Sequence, residues 1–251
     1  MKKAIIAAAA VTMAVACMAA PSAVATPKGG YAVFAQCPTH TAHVNGCFYG
    51  SITGGYIAIG STVVPLAKTV VLQAGMVKEG AYDGTEVKQL VAALDGETLT
   101  KVGQPVPGLS TDAVAELAVP ASSITVSQHV EELALALPIK LRLVNPVLGS
   151  ECSIGSSQNP IELNLTTGAT GGGLTGNPGV TSDLEEGGIL LKRGVSMVSS
   201  GFTVPKADGC GTAFVDNLLN ALLGLPSSKN QAVLNLNMEL ASRALVEESE
   251  E

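Results

Sequence analysis

Strand-like alternation dominates the chain. Ile161, Leu163 and Leu165 alternate with Glu162, Asn164 and Thr166, the period-two pattern of a strand with one buried face. Leu133, Leu135, Leu137, Ile139, Leu141 and Leu143 form a longer alternation, with Lys140 and Arg142 on the other face. Pro138 lies inside it and lacks an N–H, which predicts an edge strand or two strands joined at a bulge. Ile124, Val126 and Val130 are apolar in the opposite phase, so a turn or bulge near Glu131 and Glu132 must reset the register. Leu234, Leu236, Met238 and Leu240 alternate with Asn235, Asn237 and Glu239.

Tyr56-Ile57-Ala58-Ile59 and Thr62-Val63-Val64 flank Gly60-Ser61, a two-residue hairpin turn. Residues 68–73, 189–191, 195–198 and 202–204 are further strand candidates. Helical spacing is rarer. Phe214, Val215, Leu218, Leu219, Leu222 and Leu223 share one face of a helix over 213–223, stopped by Gly224 and Pro226. That stripe is read as packing on a sheet, with a membrane or partner as the alternative. Val87, Leu90, Val91 and Leu94 also have helical spacing, before Asp95-Gly96. Residues 168–179, Gly-Ala-Thr-Gly-Gly-Gly-Leu-Thr-Gly-Asn-Pro-Gly, read as a flexible surface loop. The expectation is a mainly β fold, an antiparallel sandwich or barrel-like domain over 26–251 with one C-terminal amphipathic helix.

The N-terminus changes where such a domain works. Lys2 and Lys3, an uncharged apolar stretch over 4–20, Pro21 and then Ala23-Val24-Ala25 have the order of a bacterial secretory signal peptide cut after Ala25. Cys17, after Ala14-Val15-Ala16, offers a competing lipoprotein site, without the usual Leu three positions before the cysteine. Secretion from residue 26 is the reading preferred. Removing Lys2 and Lys3 leaves 12 basic against 21 acidic residues, a net charge near −9. An acidic chain without a basic cluster is a poor partner for nucleic acid or anionic lipid. After the signal no run is long enough to span a bilayer as a helix. The tail Glu247-Glu248-Ser249-Glu250-Glu251 reads as a solvated end. Trp is absent and aromatics are few, so the core must be aliphatic and a stacking sugar site is disfavoured.

Beyond Cys17 the cysteines are Cys37, Cys47, Cys152 and Cys210, an even set suited to two disulfides in an oxidising compartment. Three pairings are possible. Cys37–Cys47 with Cys152–Cys210 is favoured because the first two are near neighbours around a loop. Closing those loops is worth about 3 and about 4 kcal/mol in the chain-entropy account. His40 and His43 fall between Cys37 and Cys47 and bring zinc-ligand types together, but the order is not that of a zinc finger. They are the weak metal candidates.

Catalytic motifs are sparse. Gly-x-Ser-x-Gly is absent, and the Gly-rich stretch lacks the Gly-Lys-Ser/Thr ending of a phosphate loop. His129 is a lone candidate base without a partner motif. Asp208-Gly209-Cys210-Gly211 would suggest a nucleophile only if Cys210 were unbridged. Asp183, Glu185 and Glu186 fit no ordered calcium loop. No cofactor is expected.

The chain carries Asn145-Pro146-Val147-Leu148-Gly149, Cys152-Ser153-Ile154-Gly155, Asn159-Pro160-Ile161, Leu165-Thr166-Thr167-Gly168, Phe202-Thr203-Val204-Pro205 and Gly209-Cys210-Gly211. In this the chain resembles a group of uncharacterised secreted actinobacterial proteins with a four-cysteine framework. The likeness spans most of residues 26–251, with Cys37 and Cys47 in matching places. It departs at 168–179, where that group often has a Pro-rich stretch. The resemblance implies secretion and the cysteine framework, and no activity. The functional expectation is a secreted or cell-envelope structural or interaction protein without enzymatic activity, with a protein or lipid partner. An extracellular carrier of an apolar ligand is the alternative, and a hydrolase using His129 the third reading.

Overall fold

The computed structural model describes residues 27–66, 70–79, 86–92, 100–103, 106, 108, 110–120, 123–129, 132–183 and 188–250. The signal segment, Cys17, Glu185 and Glu186 lie outside them. Among the described residues the first element is a 3-10 turn, Gly29–Phe34, followed by β1 (Val44–Ile59), β2 (Thr62–Pro65), β3 (Val70–Glu79), β4 (Glu86–Ala92) and β5 (Thr100–Gly103). Next come β6 (Asp112–Leu117), β7 (Ile124–His129), β8 (Glu132–Val144), β9 (Ser153–Ile154) and β10 (Ile161–Thr166). β11 (Val180–Asp183), β12 (Ile189–Val204), β13 (Ala207–Asp208), α1 (Ala213–Leu223), β14 (Ser227–Ser242) and α2 (Arg243–Glu248) complete it.

The strands form one antiparallel sheet in the order β10-β12-β14-β1-β3-β4-β7-β8-β6-β5. β8 also pairs with β10 over six residue pairs, Ile161↔Ile139 to Thr166↔Ala134, so the sheet curls back toward its own start. The seam stays incomplete, since β10 and β12 share only the registered pair Thr166↔Val198. The result is barrel-like and sandwich-like rather than a continuous barrel. Its inner face is aliphatic, as the composition required. Ile139, Leu141, Leu143, Ile161, Leu163 and Leu165 are at most 1% exposed. β10 buries alternate residues, and so does the central part of β14.

β8 is central, correcting the expectation of an edge or bulged strand at Pro138. On one side it pairs with β10. On the other it pairs with β7 up to Ala136 and with β6 from Ile139. The Pro138 carbonyl accepts the Ala118 N–H, so its nitrogen faces the same side, at the junction between those two neighbours. A missing N–H there breaks no continuous ladder. His129↔Glu132 registers the β7–β8 hairpin; Glu131, in the expected reset near Glu131 and Glu132, lies outside the described residues.

The helical spacing at Val87, Leu90 and Val91 is also corrected; Leu94 lies outside the described residues. Residues 86–92 are β4, hydrogen-bonded to β3 and β7 on its two sides. Two β-branched valines and two pairing edges outweigh a short apolar periodicity. The strand candidates over 189–204 merge into β12, whose register shifts explain the apparent breaks. The stretch 168–179 is not a floppy loop. Ala169 pairs with Thr175, Asn177 pairs with Ser196, and the Gly176 N–H donates to the Gly168 carbonyl. The acidic tail is partly docked: Val246 is buried, Arg243 bonds Glu247, and the Lys28 N–H donates to the Ser249 carbonyl.

Both expected disulfides are present, Cys37–Cys47 and Cys152–Cys210, with Cα separations of 5.7 and 4.1 Å. The first ties the 3-10 turn to β1, beside a satellite cluster of Phe34, Ile189, Ala241 and Val246 on the outer face. The second joins the turns next to β9 and β13.

The β1–β2 turn is where the expected hairpin meets α1. Ile59 pairs with Thr62, and Gly60 takes a left-handed φ of 58°. A Cβ on Gly60 would sit 2.0 Å from the Leu223 carbonyl oxygen. Gly60→Ala is therefore expected to lower unfolding stability by about 2 kcal/mol or more in urea titration. Gly171→Ala, where an added Cβ meets nothing within 4 Å, should stay within about 0.5 kcal/mol of the parent.

Candidate functional site

α1 is built by strong local signals. Thr212 is its N-cap and its Oγ1 accepts the Val215 N–H at 3.4 Å. Asp216 sits in the first turn, where negative charge is favoured, and its Oδ1 accepts the Cys210 N–H at 2.8 Å. Gly224 closes the helix at a left-handed φ of 65°. The β1–β2 turn finishes the cap: the Ser61 N–H donates to the Leu223 carbonyl at 2.9 Å, and its hydroxyl to that of Leu222 at 3.2 Å. These bonds take up carbonyls that a helix end leaves open.

The buried side of α1 carries Leu219, Leu223 and a polar residue, Asn220. Asn220 Oδ1 accepts the Ala207 N–H at 2.7 Å, and its Nδ2 donates to the Ala207 carbonyl at 2.9 Å. The side chain thus bonds β13 as a neighbouring strand would. Only part of the apolar stripe reaches the core. Phe214 is 75% exposed, Leu218 48% and Leu222 49%. Spaced four residues apart, they form a ridge along the outside of the helix. The expectation that the whole stripe packs on the sheet is corrected on this point.

Beside the N-terminal half of α1 lies an open cleft of about 750 Å³, bounded by Glu151, Ser156, Asn159, Lys206, Asp208 and Asn217, with the helix as one wall. Its hydrogen bonds mostly hold backbone. The Ser153 hydroxyl donates to the Gly155 carbonyl, Ser156 Oγ accepts the Asn159 N–H, and Asp216 and Asn220 are engaged as above. These groups shape the loops around the Cys152–Cys210 bridge.

The other sequence candidates scatter. His40 and His43 are exposed, between cysteines whose sulfurs are bonded to each other, and His43 takes a φ of 68°. Among the described residues no three His, Cys, Asp or Glu side chains come together as a metal-ligand group. His129 ends β7 opposite Glu132, and Asp183 ends β11. Cys210 is bridged and fully buried.

Two carboxylates depart from ordinary behaviour. Glu116 on β6 is buried between Lys140, at 3.1 Å, and Arg142, at 2.6 Å, both on β8. Burial alone would raise its pKa. The hydrogen bonds and charges of Arg142 and Lys140 outweigh that and hold it below the usual carboxylate value. Glu239 on β14 is opposite: burial raises it, and the Arg193 charge only partly offsets this.

Sequence reasoning placed α1 and its ends but missed its exposed ridge, Asn220 and Glu116. Asn220 carried a signal, an amide set between Leu219 and Leu223 on the apolar side of the helix. Comparison with known proteins returns no matching family model, no matching curated protein and no matching solved structure.

The two carboxylates make opposite contributions to stability. That of Glu116 is complete above the unfolded carboxylate pKa and is lost as pH falls through its lowered folded value. That of Glu239 is present at low pH and is lost as pH rises through its raised folded value. At neutral pH Glu116→Gln should cost about 1–2 kcal/mol, and Glu239→Gln should gain up to about 0.5 kcal/mol. Thermal unfolding from acid to neutral pH should show both differences shrinking in acid. A pH-independent pair of offsets would contradict the assignment.

Proposed function

We propose that this chain is an exported structural or interaction protein of the cell surface, without enzymatic activity, and that the outer face of α1 is its contact face. The observation that carries this reading is the ridge of Phe214, Leu218 and Leu222, held in solvent on a helix that is capped at both ends and tied to β13. An apolar strip on a rigid element is a common mark of an interaction site. The two disulfides suit an extracellular setting. The reading of residues 1–25 as a cleaved signal and the likeness to secreted actinobacterial proteins support export from the same side. A carrier of an apolar ligand is less well supported, because fully buried aliphatic side chains fill the inside of the sheet.

A photo-reactive amino acid placed at position 218 in producing cells should yield a cross-linked product on irradiation. The same probe at Val180, equally apolar and 74% exposed on β11, should yield little. Absence of any product at 218, or equal yields at the two positions, would reject the contact face.

A further inference from the structure

Resting on that reading of α1, we propose that the occupant of its ridge is a second copy of the chain, packed antiparallel about a twofold axis with Leu218 near the axis. Three observations carry the inference. The first is self-complementarity. Residues at steps of four along one helix, turned about a twofold axis, set Phe214 against Leu222 of the other copy and Leu218 against Leu218.

The second is charge. The cleft at the N-terminal end of α1 is lined by three acids, Glu151, Asp208 and Asp216, against one base, Lys206. The other end has exposed Lys229, next to Asn230, whose Oδ1 accepts the N–H of Gly60. Gly60 in turn packs on the last carbonyl of the helix. An antiparallel pair brings each acidic end to the basic end of the other copy and opposes the two helix dipoles. A parallel pair would stack like charges. The net charge near −9 that remains without Lys2 and Lys3 also disfavours an anionic membrane as occupant.

The third is extent. The three ridge residues expose roughly 300 Å² of apolar surface, too little alone for a stable interface of about 800 Å² per partner. Two further exposed valines lie on segments that adjoin the ends of the helix. Val147, 76% exposed, is two residues from Gly149, which approaches Gly209 and Gly211 just before α1. Val63, 59% exposed, belongs to the hairpin that caps its far end. Antiparallel pairing sets the Val147 end of one copy by the Val63 end of the other. An apolar centre with a polar rim suits a weak, reversible dimer.

Sedimentation of the oxidised protein starting at Thr26, from about 5 to about 200 µM, tests this over the affinity range such an interface supports. The weight-average mass should rise toward twice that of one chain. Leu218→Glu and Phe214→Ser, both on exposed positions, should each raise the dissociation constant at least about tenfold. Lys229→Glu should weaken association at low salt and much less at high salt. Val180→Ser should leave it unchanged. A protein still monomeric at about 200 µM overturns the proposal. So does a dimer indifferent to both ridge variants, or one indifferent to Lys229→Glu at low salt. A monomer that nonetheless cross-links at position 218 to something of another mass overturns the second copy while leaving α1 as a contact face.

Discussion

A buried amide sets the orientation of the only long helix among the described residues. Asn220 accepts the Ala207 N–H at its oxygen and donates from its nitrogen to the Ala207 carbonyl, and both residues are largely buried. Leaving those groups unpaired would cost about 1–3 kcal/mol each, so α1 cannot roll without penalty. Successive residues advance about 100° around a helix, which places Leu218 and Leu222 roughly 160° from Asn220 on either side. Pinning the amide inward therefore turns those leucines outward. The apolar ridge is a geometric consequence of the polar contact.

The neighbourhood of Ala207 explains why the contact is firm. β13 has only two residues and pairs with β9, which in turn pairs with β8 at the centre of the sheet. Cys152 precedes β9 and Cys210 follows β13, so their bridge closes the same small region covalently. The β1–β2 turn holds the opposite end of the helix through Ser61 and the close approach of Gly60. Helix, disulfide and hairpin thus meet on a rigid frame. Glu116, between Lys140 and Arg142, links β6 to the same β8. Its ion pairs occupy the strand face that the alternation had assigned to polar residues.

Much of this was legible in the residues. The alternations at 161–166 and 234–240, the Gly60-Ser61 turn, the limits of α1 and the cysteine pairing all reflect local signals that the tertiary structure keeps. What was not legible depended on neighbours distant in sequence. Residues 87–94 have a helical period, but pairing with β3 and β7 makes 86–92 a strand. Pro138 looked like an edge because nothing local shows that two strands meet opposite its nitrogen. The run over 168–179 looked flexible by composition, whereas glycine there admits close backbone approach: a Cβ on Gly176 would fall 2.5 Å from the Ser196 carbonyl oxygen. The ridge stayed hidden because Leu218 and Leu219 are chemically alike, and only the anchor at Asn220 decides which one faces solvent.

α1 is a rigid part of the frame, so its exposed leucines and phenylalanine are presented rather than loosely displayed. Amide hydrogen exchange across the native protein tests this rigidity. The amides of Leu219 to Leu223 should exchange only through the opening that also exposes β12 and β14, with matching protection. Fast exchange of α1 while β12 and β14 remain protected would mean that the helix detaches on its own and is not part of the frame.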